Sequence, residues 1–292
     1  MGDTPVSQIM RPEGNVNQVL QPDTELEIAN SFMKLNATCS LALLAAAGAL
    51  FLTTTAVQAS DTDDRIVASA KNSYVFKTYL KHDKIKTHSK DGVVTLTGTV
   101  EESGHKSLAQ DTVEGLPGVH SVDNQIRIAS DEPAEHSDTW IGTKIKFALL
   151  FHRNVSATGT EVQVKEGFVT LRGEASSMAQ KELTTEYARD IENVKGVKNE
   201  MTIASVPTKP EESLGDKIDD ASITAQVKAS LLAHRSTSVL KTKVETTDGV
   251  VTVSGVAKNA AEKSLVTKLI SDIYGVSGVV NNMIIALPVA GA

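Results

Sequence analysis

Asp91-Gly92-Val93-Val94-Thr95-Leu96-Thr97-Gly98 recurs as Glu166-Gly167-Phe168-Val169-Thr170-Leu171-Arg172-Gly173 and again as Asp248-Gly249-Val250-Val251-Thr252-Val253-Ser254-Gly255. An acidic residue and a glycine followed by alternating apolar and polar residues is the pattern of a tight turn opening a β-strand, with Gly supplying the positive φ. The spacing is 75 residues from Gly92 to Gly167 and 82 from Gly167 to Gly249. The same two offsets carry Ile66 to Ile141 to Ile223, Leu108 to Leu183 to Leu265, Val119 to Val194 to Val276, and Asn124 to Asn199 to Asn281. No copy needs an insertion, so the chain holds three tandem units over 61–130, 137–205 and 216–287. The seven extra residues of the second offset fall in a connector, centred on 206–215, that holds Pro207, Pro210, Glu211 and Glu212.

Outward from the turn, each unit reads the same way. Its first segment places Ile141, Ile145 and Leu149, or Ile223, Val227 and Leu231, on one helical face. Asp63, Asp138 and Asp220 stand three residues before the first of these positions, where a carboxylate is expected to cap the free amides of the helix start. Alternation as in Val162-Gln163-Val164 gives the first hairpin strand. After the second strand comes another helix, marked by Leu183, Tyr187 and Ile191 or by Leu265, Leu269 and Ile273. It stops at Gly118, Asn193 or Gly275. Val122, Ile126 and Ile128, at period two, make a last strand.

The order α-β-β-α-β implies an α+β fold. Each unit is a mixed three-stranded sheet, antiparallel within the hairpin and parallel across the helical crossover, with both helices on one face. Gly98, Gly173 and Gly255 fall on the covered face, so close helix approach is the expected reason for glycine. A unit of about 64 residues buries only about 60% of its unfolded surface, so docking between copies or onto a partner is expected.

The chain of 292 residues is 40% hydrophobic but only 4% aromatic, with a net charge of −7. Few aromatics and an acidic balance argue against nucleic acid as a partner. Met33-Lys34, the apolar run from Ser40 to Leu52, and the small residues up to Ala59 read as a signal peptide over 33–59, cleaved between Ala59 and Ser60. The apolar run is too short to span a membrane. Acidic residues among 1–32 do not suit a leader, so translation is expected to begin at Met33. The one cysteine, Cys39, lies in the leader, leaving a thiol-free product suited to an oxidising compartment.

The Asp-Gly-Val-Val-Thr-Leu-Thr-Gly strand, the Gly-Val-x-x-Val-x-Asn block at Gly118 to Asn124 and the α-β-β-α-β order resemble the BON module, the bacterial OsmY and nodulation domain, in three copies. The middle copy departs from the pattern at Phe168 and Asn193. The resemblance implies a periplasmic protein of the envelope or osmotic stress type, in a family linked to anionic phospholipid binding. Some members are suggested to assist other envelope proteins, so a chaperone or scaffold for exported proteins is the alternative.

Signatures of hydrolytic, phosphate-binding or dinucleotide chemistry do not occur in the sequence. No catalytic residue, metal site or cofactor is expected, and the protein reads as non-enzymatic. His152-Arg153 and His234-Arg235 recur after the first helix; cations stabilising a helix end are the plainer account, a shared metal or anion site the sharper one. Asn124, Asn199 and Asn281 share strand parity with buried residues and are expected to satisfy backbone groups near the preceding turn. Lys106, Lys181 and Lys263 read as solvated lysines whose stems cover the core edge.

The unit surfaces differ more than their cores. The first carries Lys77, Lys81, Lys84, Lys86 and Lys90, candidates for anionic lipid headgroups, although acidic residues balance them over the whole unit. The uncovered sheet face of the third shows Val250, Val280 and Ile284, a candidate docking surface for a neighbouring unit, another chain or a client segment. The resulting expectation is weak, multivalent binding to a membrane surface by three linked units.

Overall fold

The Gly-centred repeats close two-residue hairpins, seen in a computed structural model that describes residues 55–129, 133–204, 217–237 and 242–286, with side chains from residue 61. Residues 1–54 and the connector 206–215 lie outside the described residues, so most of the expected leader does too; the Ala59–Ser60 bond falls inside the first helix. In the first module, α1 (Thr55–Asn72) and the short α2 (Tyr74–Thr78) precede β1 (Lys84–Lys90), β2 (Val93–Val100), α3 (Ser103–Glu114) and β3 (Ser121–Ile128). The second has α4 (Asp138–Leu149), β4 (Thr160–Lys165), β5 (Phe168–Ala175), α5 (Met178–Arg189), β6 (Gly196–Asn199) and β7 (Thr202–Ile203). The third has α6 (Asp220–Ala233), β8 (Thr242–Thr247), β9 (Val250–Ala257), α7 (Ala260–Ser271), β10 (Gly278–Asn281) and β11 (Ile284–Ile285).

Each sheet is mixed, as the crossover logic requires. β2 is central, antiparallel to β1 and parallel to β3. β5 and β9 hold the same place in their sheets. In the second and third modules the last strand breaks into two, at Glu200-Met201 and Asn282-Met283, so those sheets have four segments. Parity assigns the faces as the alternation demands: Val94, Leu96, Val169, Leu171, Val251 and Val253 are buried, whereas Val93, Phe168 and Val250 are exposed.

The hairpin turns are held from below. Lys90 faces Val93 across the first turn, and both residues between them have positive φ, 52° at Asp91 and 75° at Gly92. This is the turn type that matches strand twist. Its two amides are taken by Asp63, at 2.8 Å to Asp91 and 3.1 Å to Gly92. Asp138 does the same for Glu166 and Gly167 at 2.7 and 2.9 Å, and Asp220 for Asp248 and Gly249, both at 2.8 Å. The three aspartates are therefore turn clamps, a correction to the capping role expected of them. Ser137 and Asp219, one residue earlier, accept the free helix amides of Trp140 and Ser222. A carboxylate already inside the helix points away from its own first-turn amides.

The glycines at 98, 173 and 255 also have a different reason from the one expected. Their φ values are 122°, 120° and 140°. A Cβ on Gly98 would lie 1.8 Å from the Lys84 carbonyl oxygen and one on Gly173 2.1 Å from that of Gly159. Backbone conformation and the neighbouring hairpin strand, rather than a helix, demand glycine there.

The repeated asparagines do satisfy backbone groups, but those of the second helix and their own strand. Asn199 donates to the Lys181 carbonyl and Thr185 hydroxyl, both at 2.8 Å, and accepts from the Met201 amide at 2.9 Å. Asn281 repeats this with Lys263, Thr267 and Met283, and Asn124 with Lys106, Gln110 and Ile126. Lys181 and Lys263 are not simply solvated: each ammonium donates to the carbonyl freed by the strand break, Met201 or Met283.

From Gln58 onward the chain is one compact unit, in which the modules meet through their helices. Helix α6 lies at the junction. Ile223, Val227 and Leu231 serve its own module's core, while Ala221, Ser222, Ala225, Gln226, Ala229 and Ser230 are also buried. Ser222 accepts from the Val75 amide at 3.1 Å, Asp219 from the Tyr74 amide at 2.8 Å, and Gln226 from the Tyr79 hydroxyl at 3.2 Å. Ser230 meets His152 of the second module at 3.0 Å. Gly115 permits the approach of α3: a Cβ there would stand 3.1 Å from that of Ala221.

Replacing Asp220 by Ala leaves two turn amides without their acceptor and is expected to cost about 1–3 kcal/mol, read as a lower urea midpoint at unchanged m-value. The Ser89 hydroxyl, then the Gly92 amide, hold the Asp63 carboxyl below the usual range. Its contribution is therefore present above the ordinary carboxylate pKa of about 4 and lost as pH falls further. Amide exchange at Gly92 should accelerate relative to its intrinsic rate only in that acid range.

Candidate binding faces

Each sheet keeps one face outside, on the far side of its own helices from the other two modules. On the first, Lys84, Lys86, His88 and Lys90 alternate along β1 and are all exposed. The register sets them beside Thr99, Thr97, Thr95 and Val93 of β2, and beyond these stand Arg127, Gln125, Asp123 and Ser121 of β3. Three lysines and an arginine thus share a face with one carboxylate, Asp123, which accepts from Gln125 at 2.7 Å. Among the described residues none of these lysines is in an ion pair.

Asp83, which dilutes the lysine cluster in the sequence, is withdrawn from it. Its side chain is 2% exposed and sits 2.8 Å from His105 Nδ1, while it accepts from the Glu101 amide at 3.2 Å. Lys84, Lys86 and Lys90 are brought onto one ladder. Lys77, on α2, and Lys81, in the turn after it, are exposed but stand off the sheet.

The second face neutralises itself. Arg172 lies 2.9 Å from Glu200 and donates to Gln163 at 2.6 Å, and Lys198 reaches Glu200 at 2.7 Å. Lys198 first, and then Arg172, hold the Glu200 carboxyl below its usual range. Phe168, 59% exposed, lies over Gly196 on the same face.

The third face is aliphatic. Val250, Val280 and Ile284 are 38%, 44% and 66% exposed, and the β10–β11 edge from Gly278 to Ile285 carries no charged side chain. Lys243 and Glu245 pair with each other on β8 at the opposite edge. Of the occupants expected for this face, a neighbouring module of the same chain is removed, because the modules spend their helices on one another and leave the sheets out.

His152 and His234 are not surface cations at helix ends. They are 0% and 2% exposed, enclosed where the second module meets the third. The residues that make this junction were not singled out by periodicity of apolar side chains. The signal that was available is the second stripe of α6, Ala221, Ala225 and Ala229 beside Ser222, Gln226 and Ser230, each at four-residue spacing. An open depression on the second module is lined by His136, Asp138, Glu166, Gly167, Asn193 and Lys195, but Asp138 is spent on the turn and Asn193 bonds His136. Among the described residues, no group of three or more His, Cys, Asp or Glu side chains could hold a metal ion, and no helix is long and apolar enough to cross a membrane.

A family model described as "BON domain" matches residues 62–130, 137–205 and 219–286. Osmotically-inducible protein Y of Escherichia coli K12 is 32% identical over 146 residues, which are 50% of this chain and 71% of that protein. An uncharacterized protein in the gshII 5′ region of Anaplasma centrale is 30% identical over 132 residues, 45% of this chain and 84% of that one. Among solved structures, the C-terminal domain of CdsD, the structural protein of the type III secretion system of Chlamydia trachomatis, aligns at 19% identity. That alignment covers 73% of this chain and 96% of that chain with a TM-score of 0.20, too low to carry an argument.

Because Val280 and Ile284 point outward from a completed core, Val280→Lys with Ile284→Lys is expected to change folding stability by no more than about 0.5 kcal/mol per site. Thermal unfolding checks this; a loss of several kcal/mol would mean that the face is covered in solution.

Proposed function

The chain belongs to the BON domain family, three copies of that domain making up most of its length, and we propose that it is a periplasmic envelope protein of the osmotic stress response that binds anionic membrane surface without catalysing a reaction. The observation that carries the lipid reading is the row Lys84, Lys86, Lys90 with Arg127 on an open sheet face, where Asp123 is the one carboxylate among the outward residues of β1 to β3. Each cation near an anionic leaflet contributes about 1 kcal/mol, enough together for weak, reversible attachment.

The export reading is supported by the leader pattern over 33–59, and the stress reading by similarity to a protein named for osmotic induction. Each open face lies on the far side of its own helices from the other modules. A flat membrane meets the first face, and attachment rests on its lysine ladder rather than on all three modules at once.

A second reading, a chaperone or scaffold for exported proteins, is favoured by the exposed Val250, Val280 and Ile284 and by the uncharged edge beside them. An edge of this kind lacks the charges that usually deter strand addition. Suppressed aggregation of an unfolded outer-membrane protein in the absence of lipid, abolished by Val280→Lys with Ile284→Lys, is the result it requires.

Flotation with vesicles of phosphatidylglycerol and of phosphatidylcholine tests the lipid reading. Binding is expected only to the anionic vesicles, weakened at high salt and reduced at least tenfold by Lys84→Glu, Lys86→Glu and Lys90→Glu together. Equal flotation with both lipids, or full retention of binding by the triple variant, would overturn it.

A further inference from the structure

The contact between the second and third modules is reciprocal. His152 and Arg153, after α4, lie against Asp272 and Ile273, after α7; His234 and Arg235, after α6, lie against Asp190 and Ile191, after α5. His152 bridges Ile273 and His234 bridges Ile191, both antiparallel. The Arg153 amide donates to the Asp272 carbonyl at 2.8 Å and the Arg235 amide to that of Asp190 at 2.9 Å. The first module carries Lys77-Thr78 and Gly115-Leu116 in the equivalent register and has no such pair.

Two imidazoles occupy the middle of this seam, their ring centres 5.7 Å apart, with the Tyr187 ring 4.2 Å from His152 and 5.5 Å from His234. His152 faces Asp272 Oδ2 at 3.3 Å from Nδ1, and the Ser230 hydroxyl at 3.0 Å from Nε2. His234 Nδ1 faces Asp190 Oδ2 at 3.2 Å, and the Arg235 guanidinium lies 3.8 Å from the other oxygen of Asp190. The Asp272 carboxylate is already engaged: Tyr187 OH donates to it at 2.6 Å, and Asn154 occupies its other oxygen. At 3.3 Å its Oδ2 is close to His152 Nδ1 but makes no hydrogen bond with it, and His234 Nε2 also lacks a partner.

We propose that this seam is an acid-released latch: the second and third modules stay docked while His152 is neutral and part when it takes up a proton. A proton there brings charge into a site closed to water, against a second imidazole and beside a carboxylate that already accepts from Tyr187 and Asn154. Burial pushes His152 below the usual histidine range, Asp272 draws it part of the way back, and His234 pushes it down again. Once the modules separate, His152 regains water and its ordinary value of about 6.5. The open form then binds the proton more tightly than the closed one. Docking is therefore fully present above about pH 6.5 and weakens about tenfold for each pH unit below it, until the pH reaches the depressed value.

The Arg153 and Arg235 amides, which donate across the seam, report on it directly. In the whole chain their exchange protection, corrected for intrinsic rates, is expected to fall measurably between pH 7.5 and 5.5, with Leu96 and Leu171 in the sheet centres unchanged. His152→Gln should remove that dependence. Equal protection at both pH values, or the same fall in His152→Gln, overturns the latch. Because losing the imidazole can itself open the seam, the wild-type His152 ring is followed in parallel by its carbon chemical shift. Protonation that coincides with loss of amide protection is expected; a ring that protonates while both amides stay protected sinks the proposal.

Discussion

The constraint beneath the whole structure is that three strands and two helices make too thin a module. One face of the sheet can be covered by the helices, but nothing inside the module covers the outer side of the helices. The chain meets this by turning the helices of all three modules toward one another, with α6 buried on all but the stripe of Thr224, Lys228 and Leu232. Its own core takes Ile223, Val227 and Leu231, and its other flank uses alanines where helices come close and Ser222, Gln226 and Ser230 where polar groups of neighbours must be matched. A buried helix with polar residues is stable only if each of them finds a partner, and here each does.

Most repeated polar residues serve that architecture. Aspartates at the same register clamp the turn amides, asparagines tie the last strand to the second helix, and lysines close the carbonyl left by a strand break. These are side chains of the kinds that do chemistry elsewhere. Their partners here are backbone groups, and each set is complete in at least two modules.

Freedom to vary lies in the sheet faces instead. With every helix committed to the interior, each module presents its sheet to solvent, and the three sheets have taken different chemistries: a basic ladder, a self-neutralised charge network, and an aliphatic patch. One fold repeated three times thus offers three unlike surfaces pointing away from a common helical centre. The same commitment encloses the histidines of the second and third modules, converting residues that look like surface cations into an enclosed pair at the seam.

The sequence by itself determined the repeat, the α-β-β-α-β order, the sheet parity, and the left-handed residues Gly118, Asn193 and Gly275, because all of these follow from local periodicity and backbone sterics. It also determined which side chains face outward on each strand, so Val250, Val280 and Ile284 were legible as exposed. Only the tertiary structure decided what the repeated polar residues touch. Asp138 reaches Glu166 and Gly167, 28 and 29 residues away. Asp83 is taken from the lysine cluster by His105, 22 residues away, and His152 meets Asp272 in another module. Periodicity reports which face of an element is apolar, but a hydrogen bond or ion pair depends on the relative placement of two elements, which no local spacing encodes.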